Sequence, residues 1–155
     1  MIKRMQEPLR LIREIYRAYR GEMAAVASYT YGHILFEKSL PALSDLLATV
    51  SLAEMRHYHA LGELLRDLGA SHALRTNLQD FSYRYGGNDA EAALPTARHF
   101  LEERIEEERL SAQQYETLAE ASATQAAREL LHRLSKDEAE HAAALEAALM
   151  RLAVS

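Results

Sequence analysis

The chain contains no cysteine and no tryptophan. Without cysteine there can be no disulfide, no thiolate metal ligand and no thiol nucleophile, so metal or redox chemistry would rest on carboxylates, imidazoles and phenols. Glycine and proline are also scarce, six and three in 155 residues, and no alternating β-branched run reads as a strand. Helix is therefore the expected secondary structure. Positive charge is not in excess: 18 Lys and Arg against 23 Asp and Glu leave a net charge of −5, which gives no electrostatic footprint for nucleic acid. No apolar run approaches the eighteen or so residues of a membrane span, and no charged-then-apolar leader is visible. These absences predict a soluble cytoplasmic protein with neither nucleic-acid nor membrane partners. A chain of 155 residues is expected to form one domain that buries roughly two-thirds of its unfolded surface.

What is present is apolar periodicity at helical spacing. Four helices are expected, over about 8–38, 42–68, 91–121 and 125–152, in an all-α antiparallel bundle. Ser39-Leu40-Pro41 separates the first two, because proline disfavours helix in the residue before it, and Gly69 ends the second. Periodicity is then lost from Gly69 to about Ala93, a stretch long enough to cross the length of a bundle. A short link at Ser122-Ala123-Thr124 joins the last two helices. Short, long and short connections split the chain into two helical hairpins.

Three Glu-x-x-His pairs occur: Glu54/His57, Glu129/His132 and Glu138/His141. That spacing puts a carboxylate and an imidazole one turn apart on the same helix face, where both can bind one divalent metal. Helical phase separates the three pairs. Glu54 and His57 lie in the stripe of Leu43, Leu47, Val50, Leu61, Leu65 and Leu68. Glu138 and His141 lie in that of Ala127, Leu131, Leu134, Leu145, Leu149 and Leu152. Glu129 and His132 face the other way and read as a solvated pair. Ionisable groups inside an apolar stripe are costly unless paired or bound to metal.

The hairpins carry a degenerate repeat. Glu22, Val26, Tyr29, Glu54, His57 and Leu61 of the first match Glu108, Ala112, Tyr115, Glu138, His141 and Leu145 of the second, with equal offsets within each helix. A pseudo-twofold would bring both sets to one midpoint. Four carboxylates then balance the charge of two divalent cations. In this scheme Glu54 and Glu138 bridge, Glu22 and Glu108 are terminal ligands, and His57 and His141 cap one metal each. Oxygen and imidazole ligands without thiolate suit two iron ions or, alternatively, manganese, with zinc as an adventitious occupant. Glu108 is preferred over its neighbours Glu106 and Glu107 by the stripe and by the repeat. Tyr29 and Tyr115 are candidates for holding the ligand carboxylates or relaying an electron, or else for ordinary core packing. His33 lies about 16 Å from Glu22 along the helix and reads as a core histidine. His59 points away from the stripe, and Arg104, near the buried face, is expected to snorkel.

These residues, Glu22 with Tyr29, Glu54-Met55-Arg56-His57, Glu108 with Tyr115 and Asp137-Glu138-x-x-His141, resemble those of the ferritin-like superfamily in its rubrerythrin and bacterioferritin branches. The resemblance covers nearly the whole chain. It implies a di-iron carboxylate four-helix bundle acting on Fe(II), O2 or peroxide by ferroxidase, peroxidase or related oxidase chemistry, and a homodimer or higher homo-oligomer. Rubrerythrins carry a Cys-ligated iron that this chain cannot form, so an external electron donor is expected. They also carry an extra glutamate one turn after the helix-three ligand, where this chain has Ser111. Met55 stands where bacterioferritins ligate haem, although methionine is also ordinary core filler. The other readings are iron binding or storage in an oligomer, peroxide dismutation of the manganese-catalase kind, and a structural helical bundle.

Overall fold

The computed structural model describes residues 7–76 and 79–154. Four helices account for nearly all of the regular structure: α1 (Leu9–Phe36), α2 (Pro41–Asp67), α3 (Ala90–Ala121) and α4 (Gln125–Val154). Among the described residues there is no strand. The architecture is an all-α ferritin-like four-helix bundle, with its long crossover between α2 and α3.

The helix ends follow local chemistry. α1 stops at Phe36, two residues short of the expected end, as Leu40 N–H closes a turn on the Phe36 carbonyl at 2.9 Å. Pro41 is the first residue of α2 rather than the break before it, because a first-turn residue needs no N–H partner. At the far end Gly69 adopts φ +72°. Its N–H bonds the Arg66 carbonyl at 2.9 Å, and Ala70 N–H bonds that of Leu65 at 2.8 Å, a Schellman stop that favours glycine. Asp89 caps α3 by accepting from Glu91 N–H at 3.1 Å. Residues 77 and 78 of the crossover lie outside the described residues.

An unforeseen cap begins α4. The Glu7 carboxylate, 6 % exposed and just ahead of α1, accepts from the backbone N–H groups of Ala123 at 2.8 Å and Thr124 at 2.7 Å. It satisfies donors that a helix start leaves open and sets a negative charge at the positive end of the helix. Glu7→Ala is expected to destabilise the fold by about 1–3 kcal/mol, measured by urea unfolding with no change of m-value.

The two helices of each hairpin pack closely, while α1 approaches α3, and α2 approaches α4, much less closely. The core falls into two apolar clusters. One gathers Phe36, Leu47, Val50, Phe100, Leu101 and Leu145 around Tyr29. The other gathers Ile15, Leu61, Leu65, Leu131 and Leu134 around Tyr115. The polar layer of glutamates and histidines lies at the waist between them.

Candidate metal centre

All four carboxylates and both imidazoles singled out by the repeat meet at this waist. Glu22 (5 % exposed), Glu54 (1 %), Glu108 (4 %), Glu138 (2 %) and His57 (5 %) are buried, and His141 is mostly covered. Each comes from the apolar stripe of its own helix, so the packing that buries the leucines also draws the acids inward.

Two overlapping sets form. Glu22, Glu54, His57 and Glu138 offer ligand atoms within 4.8 Å of one another, as do Glu54, Glu108, Glu138 and His141. Glu54 and Glu138 belong to both sets, the arrangement needed for carboxylates to bridge two cations. Both imidazoles present Nδ1 to the acids. His57 Nδ1 lies 2.8 Å from Glu138 Oε1, 3.0 Å from Glu54 Oε2 and 3.9 Å from Glu22 Oε2. His141 Nδ1 lies 3.2 Å from Glu54 Oε1, 3.6 Å from Glu138 Oε2 and 3.7 Å from Glu108 Oε2. The rings stack with centroids 5.6 Å apart. Glu108 Oε2 is buried with no hydrogen-bond partner.

The tyrosines tie the outer carboxylates crosswise. Tyr29 of the first hairpin donates to Glu108 Oε1 of the second at 2.5 Å, and Tyr115 of the second donates to Glu22 Oε1 of the first. Burial and the adjacent carboxylate push both phenols well above their ordinary range, so they remain neutral donors.

The electrostatics are those of a cavity short of positive charge. Burial and the facing Glu54 carboxylate push Glu22 well above the carboxylate range. Burial likewise raises Glu54 and lifts Glu138 to about 7. Burial would also raise Glu108, but the facing His141 imidazole, and after it the neighbouring carboxyls and the Tyr29 phenol, hold it down to about 2. Burial works against the imidazolium forms, yet the carboxylates outweigh it and push His57 to about 11 and His141 to about 12.

Residues outside the cluster divide as phase predicts. Glu129 and His132 are exposed, and His132 pairs with Glu116 at 2.9 Å. His59 pairs with Glu63 on the surface. His33 Nδ1 sits 2.8 Å from Ser44 Oγ, joining α1 to α2 far from the acids. Met55 is 50 % exposed, on the outer face of α2. Glu107 is exposed and turned to Arg104 at 2.9 Å, which leaves Glu108 as the α3 member of the cluster.

Arg104 does not snorkel. It is 1 % exposed, with its guanidinium 5.2 Å from the Phe100 ring centroid and 5.8 Å from that of Phe81. Phe81 belongs to the crossover, whose path over α3 carries no periodic signal. Asp137, given no separate role by the sequence motif that contains it, places its Oδ2 3.1 Å from His57 Nε2. Its position beside Glu138, about 100° around α4, was the available signal.

Between α1 and α3 the bundle opens into a groove of about 960 Å³. Gly21, Ala25 and Ser28 line it from α1, and Ser111 and Gln114 from α3, and it reaches Glu22, Glu54, Glu108 and Glu138.

No curated protein matches the chain. The family model described as Rubrerythrin matches residues 15–149, an interval containing all six clustered side chains and both tyrosines. By that match, and with a buried carboxylate and histidine cluster that could bind metal at the centre of its four helices, the chain belongs to the rubrerythrin family.

Proposed function

We propose that the cluster holds two iron ions, with manganese as the alternative, and that the protein oxidises Fe(II) or reduces O2 or peroxide there. The observation that carries this reading is the pair of overlapping four-residue sets sharing Glu54 and Glu138. The residues fit such a pair of ions. Four buried carboxylates match the charge of two divalent cations, the donors are oxygen and imidazole nitrogen, and one buried oxygen, Glu108 Oε2, has no hydrogen-bond partner among the described residues. Bound iron would supply a ferrous–ferric couple at each position, so that two electrons could be exchanged with one oxidant.

The chain's own part is to bind, orient and admit. Glu54 and Glu138 would bridge, Glu22 and Glu108 would serve one position each, and His57 and His141 would bind through Nδ1. Tyr29 and Tyr115 fix the rotamers of Glu108 and Glu22 and keep a phenolic proton beside each. The α1–α3 groove admits Fe(II), O2 or peroxide, and reducing equivalents come from an external donor, since the chain has no thiol or second cofactor site built from cysteine.

Elemental analysis coupled to turnover tests the proposal. About two iron or manganese ions per chain are expected, with peroxide or O2 consumed over many cycles when a reductant is supplied. Accumulation of many irons per chain without repeated turnover would favour storage. Purified protein that holds no metal and takes up neither Fe(II) nor Mn(II) anaerobically would overturn the reading.

A further inference from the structure

The two halves of the cluster are matched almost residue for residue. Glu22 answers Glu108, Glu54 answers Glu138, and Tyr115 and Tyr29 hold the two outer acids in the same way. The match fails at one place. Asp137, immediately before Glu138 on α4, reaches across to His57 Nε2 at 3.1 Å. The pseudo-twofold equivalent is the residue immediately before Glu54 on α2, facing His141, and that residue is Ala53. Its methyl group can accept no hydrogen bond, and among the described residues His141 Nε2 has no hydrogen-bond partner, its side chain being 15 % exposed.

From this we infer that the two metal positions are unequal, the one served by His57 filling before the one served by His141, because Asp137 braces one imidazole and Ala53 leaves the other unbraced. The inference rests on the dinuclear reading above. Its physical basis is specific. A histidine that binds through Nδ1 keeps its proton on Nε2. A carboxylate accepting that proton fixes the tautomer, holds the ring plane and makes Nδ1 a better electron donor. His57 has all three advantages, whereas His141 has no such carboxylate among the described residues. Removing such a partner typically weakens metal binding about 10–100-fold, and the two positions should differ by a factor of that order. Asp137 is thus a positioning residue, acting on the metal through His57. The set containing His57 is also the fully buried one, while the other set includes the partly exposed His141.

Anaerobic calorimetric titration of the metal-free full-length chain with Fe(II) tests this. Two binding events of one ion each are expected, with dissociation constants about 10–100-fold apart. Asp137→Asn should weaken the tighter event by a similar factor and leave the weaker one in place, so that the two merge. Ala53→Asp should tighten the weaker event by about 10–100-fold, a gain that a misfolded variant could not produce. Two ions binding with equal affinity in the wild type would overturn the inference while leaving the dinuclear reading intact. So would an equal loss at both positions in Asp137→Asn with its helical circular dichroism unchanged. No Fe(II) uptake at all would overturn both.

Discussion

Stripping metal with a chelator is expected to lower the melting temperature of the wild-type protein by about 15 °C or more, and to leave a Glu54→Ala/Glu138→Ala variant unmoved. A ligand that binds only the folded chain stabilises it by mass action, by about 4 kcal/mol for each site held a thousandfold above its dissociation constant. Two such sites give about 8 kcal/mol, and for a chain of this size each kcal/mol moves the midpoint by about 2–4 °C. Glu54 and Glu138 are the residues to remove because both belong to both ligand sets, so the variant should lose both ions together. The measurement is a pair of thermal scans, with and without chelator, for each protein, with metal content determined before and after. Equal melting temperatures for loaded and stripped wild type would mean that the buried acids are satisfied without metal.

The second large effect concerns protons. In the metal-free protein the carboxylates raise His57 from about 6.5 to about 11 and His141 to about 12, so both imidazoles are charged at pH 7. A metal bound at Nδ1 displaces the proton held there, so uptake of two ions should release about two protons from the imidazoles, together with those that burial keeps on Glu22 and Glu138. The overall constant for binding both ions should then rise by at least about 100-fold per pH unit near neutrality, tenfold for each proton displaced. Calorimetry in two buffers of different ionisation enthalpy counts those protons directly. The sign for the metal-free fold is opposite. Groups raised on folding contribute stability that is complete below their unfolded value, near 6.5 for histidine, and is lost as pH climbs towards 11–12. Raising the pH should therefore weaken the metal-free bundle while strengthening its grip on metal. Heats identical in the two buffers would show that the imidazoles are already neutral.

The bundle and the members of its cluster were legible in the sequence because both rest on helical phase. Glu54, His57, Glu138 and His141 stand in leucine stripes, and whatever buries Leu61 and Leu131 buries them too. The same phase sent Glu129 and His132 to the surface, and the repeat singled out Glu108 among three consecutive glutamates. What stayed hidden depends on contacts between segments that share no period. Glu7 reaches the start of α4 from a position 116 residues away in sequence. Phe81 covers Arg104 only because the crossover happens to pass there, so a side chain expected to extend to water lies under two rings instead. The crossed pairing of Tyr29 with Glu108 and Tyr115 with Glu22 needed the two hairpins in register. The repeat implied that register, but which carboxylate each tyrosine meets required the phenol oxygens to be located.

The division of the interior into two apolar clusters around a polar waist has a consequence for how the chain assembles. Most close packing lies within a hairpin, between helices joined by a few residues, so each hairpin can form through local contacts, which are kinetically fast. Docking one hairpin on the other is the late event, and it brings Glu22 and Glu54 against Glu108 and Glu138. If docking comes last, it converges four acids in a shrinking, dehydrating space, and cations or protons that neutralise them are expected to lower its barrier. The acids gathered at the waist are then expected to influence how fast the two halves of the bundle close.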